Sequence, residues 1–232
     1  MNIAWGSNTE GQKMVIHNGS DLNPADFTVE LGAFQPGFNP TLANAADWEA
    51  NWKTFDAILN DDTDPSDDFK YDTGGSGVFF VGAAGLDGNQ ESNSEDATAG
   101  EKFSPKPPPF PAVTDQAFVW VYNKTAVEAD TEWALYTNLA GNGPVSGDPW
   151  IFPYVYALSQ PELWYLSTAD TAILGTIHGG VGSPDYTGEG YTSGPAANDS
   201  VIRTHRLFPM PEPGTWMLFL LGAVPLLHRQ RS

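Results

Sequence analysis

The chain has 232 residues, no cysteine and a formal net charge of −19, with 41% hydrophobic and 12% aromatic residues. That is enough for one large domain or two small ones with a sizeable core, while the missing cysteine excludes disulfides, thiolate metal sites and cysteine nucleophiles. Residues 1–208 hold 28 Asp and Glu against 8 Lys and Arg with no basic stripe, so this body repels nucleic acid and anionic lipid.

Ile3-Ala4-Trp5 and Met14-Val15-Ile16 read as short strands. The opening "MNIAWGSNTEGQKMVIHNG" has neither a basic start nor an apolar run of the kind that directs export. Phe27, Val29 and Leu31 alternate with Thr28 and Glu30, as in a half-buried strand. In "NAADWEANWKTFDAILN", Trp48, Trp52, Phe55 and Leu59 fall at helical spacing. With Asn44 as N-cap and Asp47 in the first turn, the spacing predicts one amphipathic helix over 44–60. Its aromatic stripe is the face that a lone helix buries against a sheet, rather than a ligand platform.

Val78 to Val81 is a short buried run. The polar stretch Asp87 to Lys102 and the stiff "SPKPPPFP" of Ser104 to Pro111 read as one long surface loop, the alternative being a boundary between two small domains. Phe118-Val119-Trp120-Val121-Tyr122 is the strongest strand, and Trp133 to Tyr136 follows after an acidic turn as its hairpin partner. Further strands are expected over 150–152, 154–158, 163–166, 172–177 and 201–207, punctuated by 24 Gly and 19 Pro. Many short strands with one helix predict a mainly β body, a β-sandwich of jelly-roll type. No repeat of solenoid or propeller period stands out.

Two loops concentrate oxygen ligands. "NDDTDPSDDFKYD" holds Asp61, Asp62, Asp64, Asp67, Asp68 and Asp72, and "LDGNQESNSED" holds Asp87, Asn89, Glu91, Asn93, Glu95 and Asp96. Clustered carboxylates suit calcium, but Ser92 and Thr98 stand where a calcium-binding EF-hand counted from Asp87 needs Gly and Glu. Solvated acidic loops are the preferred reading, with calcium at Asp61 to Asp68 as the alternative and no other cofactor expected. Motifs for metalloproteases, serine hydrolases and nucleotide binding are missing. His178-Gly179-Gly180 resembles part of an esterase oxyanion loop without its nucleophile elbow. No catalytic residue is named, and the body is not expected to be an enzyme. Asn18, Asn123 and Asn198 open glycosylation sequons by pattern alone.

The end of the chain is different in kind. Pro211-Glu212-Pro213 is rigid and non-helical. Thr215 to Leu227 is uncharged and almost wholly apolar, and His228, Arg229 and Arg231 follow. At ~1.5 Å per residue this run is short for a ~30 Å hydrocarbon layer, yet it has no polar face and ends in basic residues that can snorkel.

This tripartite order resembles the PEP-CTERM sorting signal of bacterial exported proteins, a tail also labelled an ice-binding-protein C-terminal domain. The resemblance covers residues 209–232 only, with Met210 where the family often has Val and Gln230 diluting the basic end. It implies that exosortase, a membrane protease, reads Pro211-Glu212-Pro213. It also implies that 215–227 is a short transmembrane helix and that Arg229 and Arg231 stay cytoplasmic as the membrane stop. The chain is then divided into an acidic extracytoplasmic domain, 1–208, and a sorting signal, 209–232. The implied life history is export, a membrane-anchored precursor, and release or attachment at the cell surface, often beside exopolysaccharide. Such a tail calls for an entry signal, so the natural product is expected to begin upstream of Met1. The body is expected to be structural or adhesive. A carbohydrate-binding module and a glycan-active hydrolase are the alternatives.

Overall fold

The computed structural model describes residues 2–7, 13–58, 69–71, 78–85, 92, 94, 116–139, 149–152, 162–177, 181–182 and 201–207. They are mainly β with one short α-helix. The strands are β1 (Asn2–Gly6), β2 (Lys13–Val15), β3 (Thr28–Phe34), β4 (Trp52–Ile58), β5 (Phe69–Tyr71), β6 (Val78–Gly85) and β7 (Phe118–Tyr122). The remainder are β8 (Thr131–Thr137), β9 (Glu162–Tyr165), β10 (Thr171–Leu174), β11 (Thr176–Ile177), β12 (Val181–Gly182), β13 (Val201–Arg203) and β14 (His205–Leu207).

Three sheets form. The central one runs β10-β8-β7-β3-β4, with β14 also on β8. A second runs β5-β6-β1-β9 and a third β12-β11-β13-β2. The expected β7–β8 hairpin is present, with Trp120 opposite Leu135. Most pairs are antiparallel, but β1 with β9 and β2 with β13 are parallel.

Strand alternation divides the aromatic residues between two cores. Val29 and Leu31 of β3, Val119 and Val121 of β7, and Ala134 and Tyr136 of β8 face one cluster shared by all three sheets. Ile3 and Trp5 of β1, Phe80 of β6 and Ile202 of β13 complete it. The opposite face of the central sheet carries Phe34, Trp52, Phe118, Trp120 and Trp133. That face would be an exposed aromatic wall without a cover. Residues 42–51 cover it: Trp48, fully buried, stacks on Trp133 at 5.2 Å and meets Trp120 edge-on at 6.1 Å.

The helix predicted over 44–60 is corrected here. Leu42–Asp47 is a 3-10 turn, the α-helix α1 is only Trp48–Asn51, and Trp52 opens β4. Asn44 is not the N-cap. Its Oδ1 accepts from the Thr41 backbone N–H at 2.8 Å and from Trp48 Nε1 at 3.1 Å. Pairing with β3 along its length outweighs the helical spacing of four apolar residues. A bulge opposite Leu31/Gly32 leaves Phe55 as the extra residue. Phe55 therefore turns to the shared core, 5.1 Å from Phe152, while Trp52 and Thr54 stay on the other side. Gly32 is required at this bulge, since a Cβ there would lie 2.2 Å from Lys53 O.

Two expected single strands are each two. The 172–177 run breaks at Gly175 into β10 and β11, and the 201–207 run breaks at Thr204 into β13 and β14. Each break carries the chain from one sheet to another, as at the corners of packed sheets. At Gly175 φ is +76°, and a Cβ would sit 2.4 Å from Arg203 O. Around 150–152 only one bridge forms, Gln116 to Ile151. The expected strand 154–158 and nearly all of the 87–111 loop lie outside the described residues.

Candidate functional site

Three carboxylates sit at strand positions that turn them inward, and each gathers donors from other elements. Glu30, between two apolar positions of β3, points to the aromatic side of the central sheet. Its Oε2 accepts from Trp52 Nε1 at 2.5 Å and Thr54 Oγ1 at 2.9 Å, and its Oε1 accepts from Tyr122 O–H at 2.7 Å. Loss of water around the carboxyl pushes its pKa above the ordinary 4.5. The three donors oppose the rise, and Glu49 on α1 adds to it. Burial, then the charge of Glu30, pushes the Tyr122 phenol up as well.

Asp56, on β4 just after the bulge, is almost wholly buried. Its Oδ2 accepts from Trp5 Nε1 at 2.6 Å and its Oδ1 from Ser94 Oγ at 2.7 Å. Ser92 Oγ donates to Phe55 O at 2.6 Å. Two serines of the acidic "LDGNQESNSED" segment are thus fastened to β4, and β4 to β1.

Glu132, on β8, is the third. His17 donates to it twice, from Nδ1 at 2.6 Å to Oε1 and from the backbone N–H at 3.2 Å to Oε2. Thr204 Oγ1 donates to Oε2 at 2.5 Å. The group has a hydroxyl, an imidazole and a carboxylate, but in the wrong order for a nucleophile. A catalytic triad places histidine against the hydroxyl to take its proton. Here the carboxylate lies between the two, so the set fastens the turn after β2 and the Thr204 corner to β8. His205, the next residue, has its pKa lowered by burial and by His17, against the opposing pull of Glu132.

None of these three carboxylates stands out as a site in the sequence. The one signal for Glu30 is a charged residue inside an apolar strand, flanked in space by strands that carry Trp and Tyr. The calcium candidates Asp61, Asp62, Asp64, Asp67 and Asp68 lie outside the described residues, as do Asp72 and the carboxylates of the second loop. Pro211, Glu212, Pro213, Arg229, Arg231, the apolar run 215–227 and the His178 loop also lie outside them. Among the described residues no set of His, Asp and Glu is arranged to hold a metal ion, and no helix is long and apolar enough to cross a membrane. Asn18 is exposed, with Oδ1 accepting from the Ser20 N–H at 2.9 Å. The Asn123 side chain is engaged across its turn by Asp130 O and the Glu132 N–H, both at 2.8 Å.

No protein-family model matches the chain, and no curated protein or solved structure matches it either. What the described geometry offers chemically is three carboxylates that each accept hydrogen bonds from several elements, with the pKa of Glu30 raised by burial. At Glu30, burial of the carboxyl outweighs the three donors that it gathers.

Proposed function

We propose that the chain is an exported, surface-associated bacterial protein with a structural or adhesive body and a removable C-terminal sorting signal. The observation that carries this reading is the order of the tail: Pro211-Glu212-Pro213, an apolar run, then Arg229 and Arg231 at the end. The tail serves as an address and a temporary anchor, and its partners are the inner membrane and an exosortase-type protease. The acidic body stays off the anionic membrane surface by repulsion.

A β-sandwich related to jelly rolls is the architecture we propose for the body. One apolar cluster lying between the central sheet and the other two supports it. The parallel β1–β9 and β2–β13 pairs depart from a fully antiparallel roll. For the body, an interior use of aromatic rings favours rigidity over ligand capture. Trp48, Trp52, Trp120 and Trp133 are each at most 8% exposed. A sugar-stacking platform would need other rings than these. Among the described residues, the charge of Glu49 acting on Glu30 is what supports the glycan-hydrolase alternative, which uses two carboxyls in unlike surroundings.

Expression in an exosortase-bearing host, followed by fractionation and mass measurement of the mature C-terminus, tests the proposal. The wild-type chain should lose the apolar run and Arg231. Glu212→Ala should insert normally but remain full length in the membrane. Retention of Arg231 in the mature wild-type protein would make the run a mere anchor or core segment.

A further inference from the structure

The Asn18-Gly19-Ser20 sequon lies in the tight turn after β2. Ile16 N–H donates to Ser20 O at 2.9 Å, Gly19 N–H donates to Ile16 O at 2.8 Å, and Val15 bridges Asp21 beyond them. Asn18, Gly19 and Ser20 are exposed, so water reaches all three. Among the described residues Asn18 is the one asparagine followed by glycine. The next amide nitrogen is therefore unshielded by any side chain. Gly19 also has a left-handed φ of +88°, which glycine adopts without steric cost.

Two further features favour attack by the Gly19 nitrogen on the Asn18 side chain. Asn18 Oδ1 accepts from Ser20 N–H at 2.9 Å. That donor draws electron density from Cγ and already points at the oxygen on which negative charge develops, as an oxyanion-hole donor does. Arg203, almost wholly buried, brings a guanidinium nitrogen to 3.3 Å from where a Cβ on Gly19 would sit. A weakly screened positive charge thus lies beside the residue whose nitrogen must give up its proton. One contact opposes the attack. The bond from Gly19 N–H to Ile16 O ties up the attacking group, a brake of about fivefold. Asn123 differs on each count: Nδ2 donates to Asp130 O, Oδ1 accepts from Glu132 N–H, and the next residue is Lys124.

We propose that Asn18 is a self-modification site, at which the folded chain converts its own side-chain amide to a carboxylate. The Gly19 nitrogen bonds to Asn18 Cγ and loses its proton to solvent. The Cγ–Nδ2 bond breaks and ammonia leaves, which closes a five-membered imide. Water then opens the imide at either carbonyl and leaves aspartate or isoaspartate at position 18. Water is consumed, ammonia is released, and nothing is oxidised or reduced. The isoaspartate form routes the main chain through the side chain and lengthens it by one carbon, which the pairing of Ile16 with Ser20 has no room to absorb. His17, the preceding residue, holds Glu132 through its ring and its backbone N–H. Conversion therefore loosens the tie between this turn and β8, and it accumulates with the age of the molecule.

Storage of the full-length chain in detergent at physiological temperature and neutral pH, with peptide mapping by mass and isoaspartate-specific methylation, is the test. The folded chain should lose the Asn18 amide progressively and keep that of Asn123, and the rate should rise with pH. Ser20→Pro removes the N–H that Oδ1 accepts and should slow conversion about fivefold in the folded chain, but not in urea, where no turn holds that donor in place. Asn18→Gln would have to close a larger ring, so it should stay unconverted and keep its melting temperature on storage while wild type loses some of its own. If the folded chain retains the Asn18 amide while the urea-unfolded chain loses it, the turn is a shield and the proposal is wrong. A Ser20→Pro effect of the same size in urea would remove the fold's part in the reaction. Equal loss of melting temperature by wild type and Asn18→Gln would overturn the link to the β8 corner.

Discussion

Glu30 shows how one side chain can organise a sheet face. Three donors from β4 and β7 converge on its two oxygens. Truncation by Glu30→Ala would strand Trp52 Nε1, Thr54 Oγ1 and Tyr122 O–H in a poorly hydrated place, at a combined cost of about 3 kcal/mol in urea unfolding. Its titration has a definite sign. The folded pKa lies above the ordinary 4.5, so this group's contribution is complete below pH 4.5 and is lost as pH rises through the folded value. The pH slope in that window should therefore disappear in Glu30→Gln. A Gln variant with the wild-type slope would assign the titration elsewhere. His205 works in the opposite sense. Its folded pKa lies below 6.5, so its neutral form supports the fold above pH 6.5, and that support is lost as pH falls through the folded value. His205→Asn should flatten the loss of melting temperature on acidification below pH 6.5. The readout is a series of thermal melts compared with wild type.

At the scale of elements, corners decide more than strands do. Gly175 has the left-handed backbone that turns the chain between sheets, and its Cα faces Arg203 O without room for a methyl. Gly175→Ala should lower stability by about 2 kcal/mol or more in denaturant melts. An unchanged midpoint would show that the corner can relax. The same corners explain what was legible in the sequence. β3, β7 and β8 could be read, because alternation and β-branched or aromatic residues are local signals. The break at Gly175 was hidden inside an apparently continuous apolar run, and so was the one at Thr204. β4 reads as helix because Trp48, Trp52, Phe55 and Leu59 match a helix by spacing, while the bulge that splits Phe55 from Trp52 arises only on pairing with β3. The carboxylate hubs were not legible for a related reason. Glu30, Asp56 and Glu132 owe their roles to donors 22 to 115 positions away in the chain.

For the molecule as a whole, the pairings that close the fold join distant parts of the chain. β1 pairs with β6 and β9, and β2 pairs with β13. Long-range pairing of this kind makes folding slow. Refolding from urea should fall in the millisecond-to-second range typical of non-local β proteins rather than in microseconds. Stopped-flow Trp fluorescence is well suited to the measurement, since Trp5, Trp48, Trp120, Trp133 and Trp150 are almost fully buried.

The parallel pair of β2 and β13 also sets a clock. A ribosome or a secretion channel delivers this chain from its first residue onward. β2 emerges early and then waits for nearly the whole chain, since its partner begins only at Val201. Until that strand arrives the edge of β2 is unpaired, Met14 has no Ile202 beside it, and Glu132 lacks the Thr204 hydroxyl. A body completed by such late strands stays open until they are delivered. It can close only once Val201 to Leu207 have been delivered, so the earliest strands reach their final form together with the latest ones.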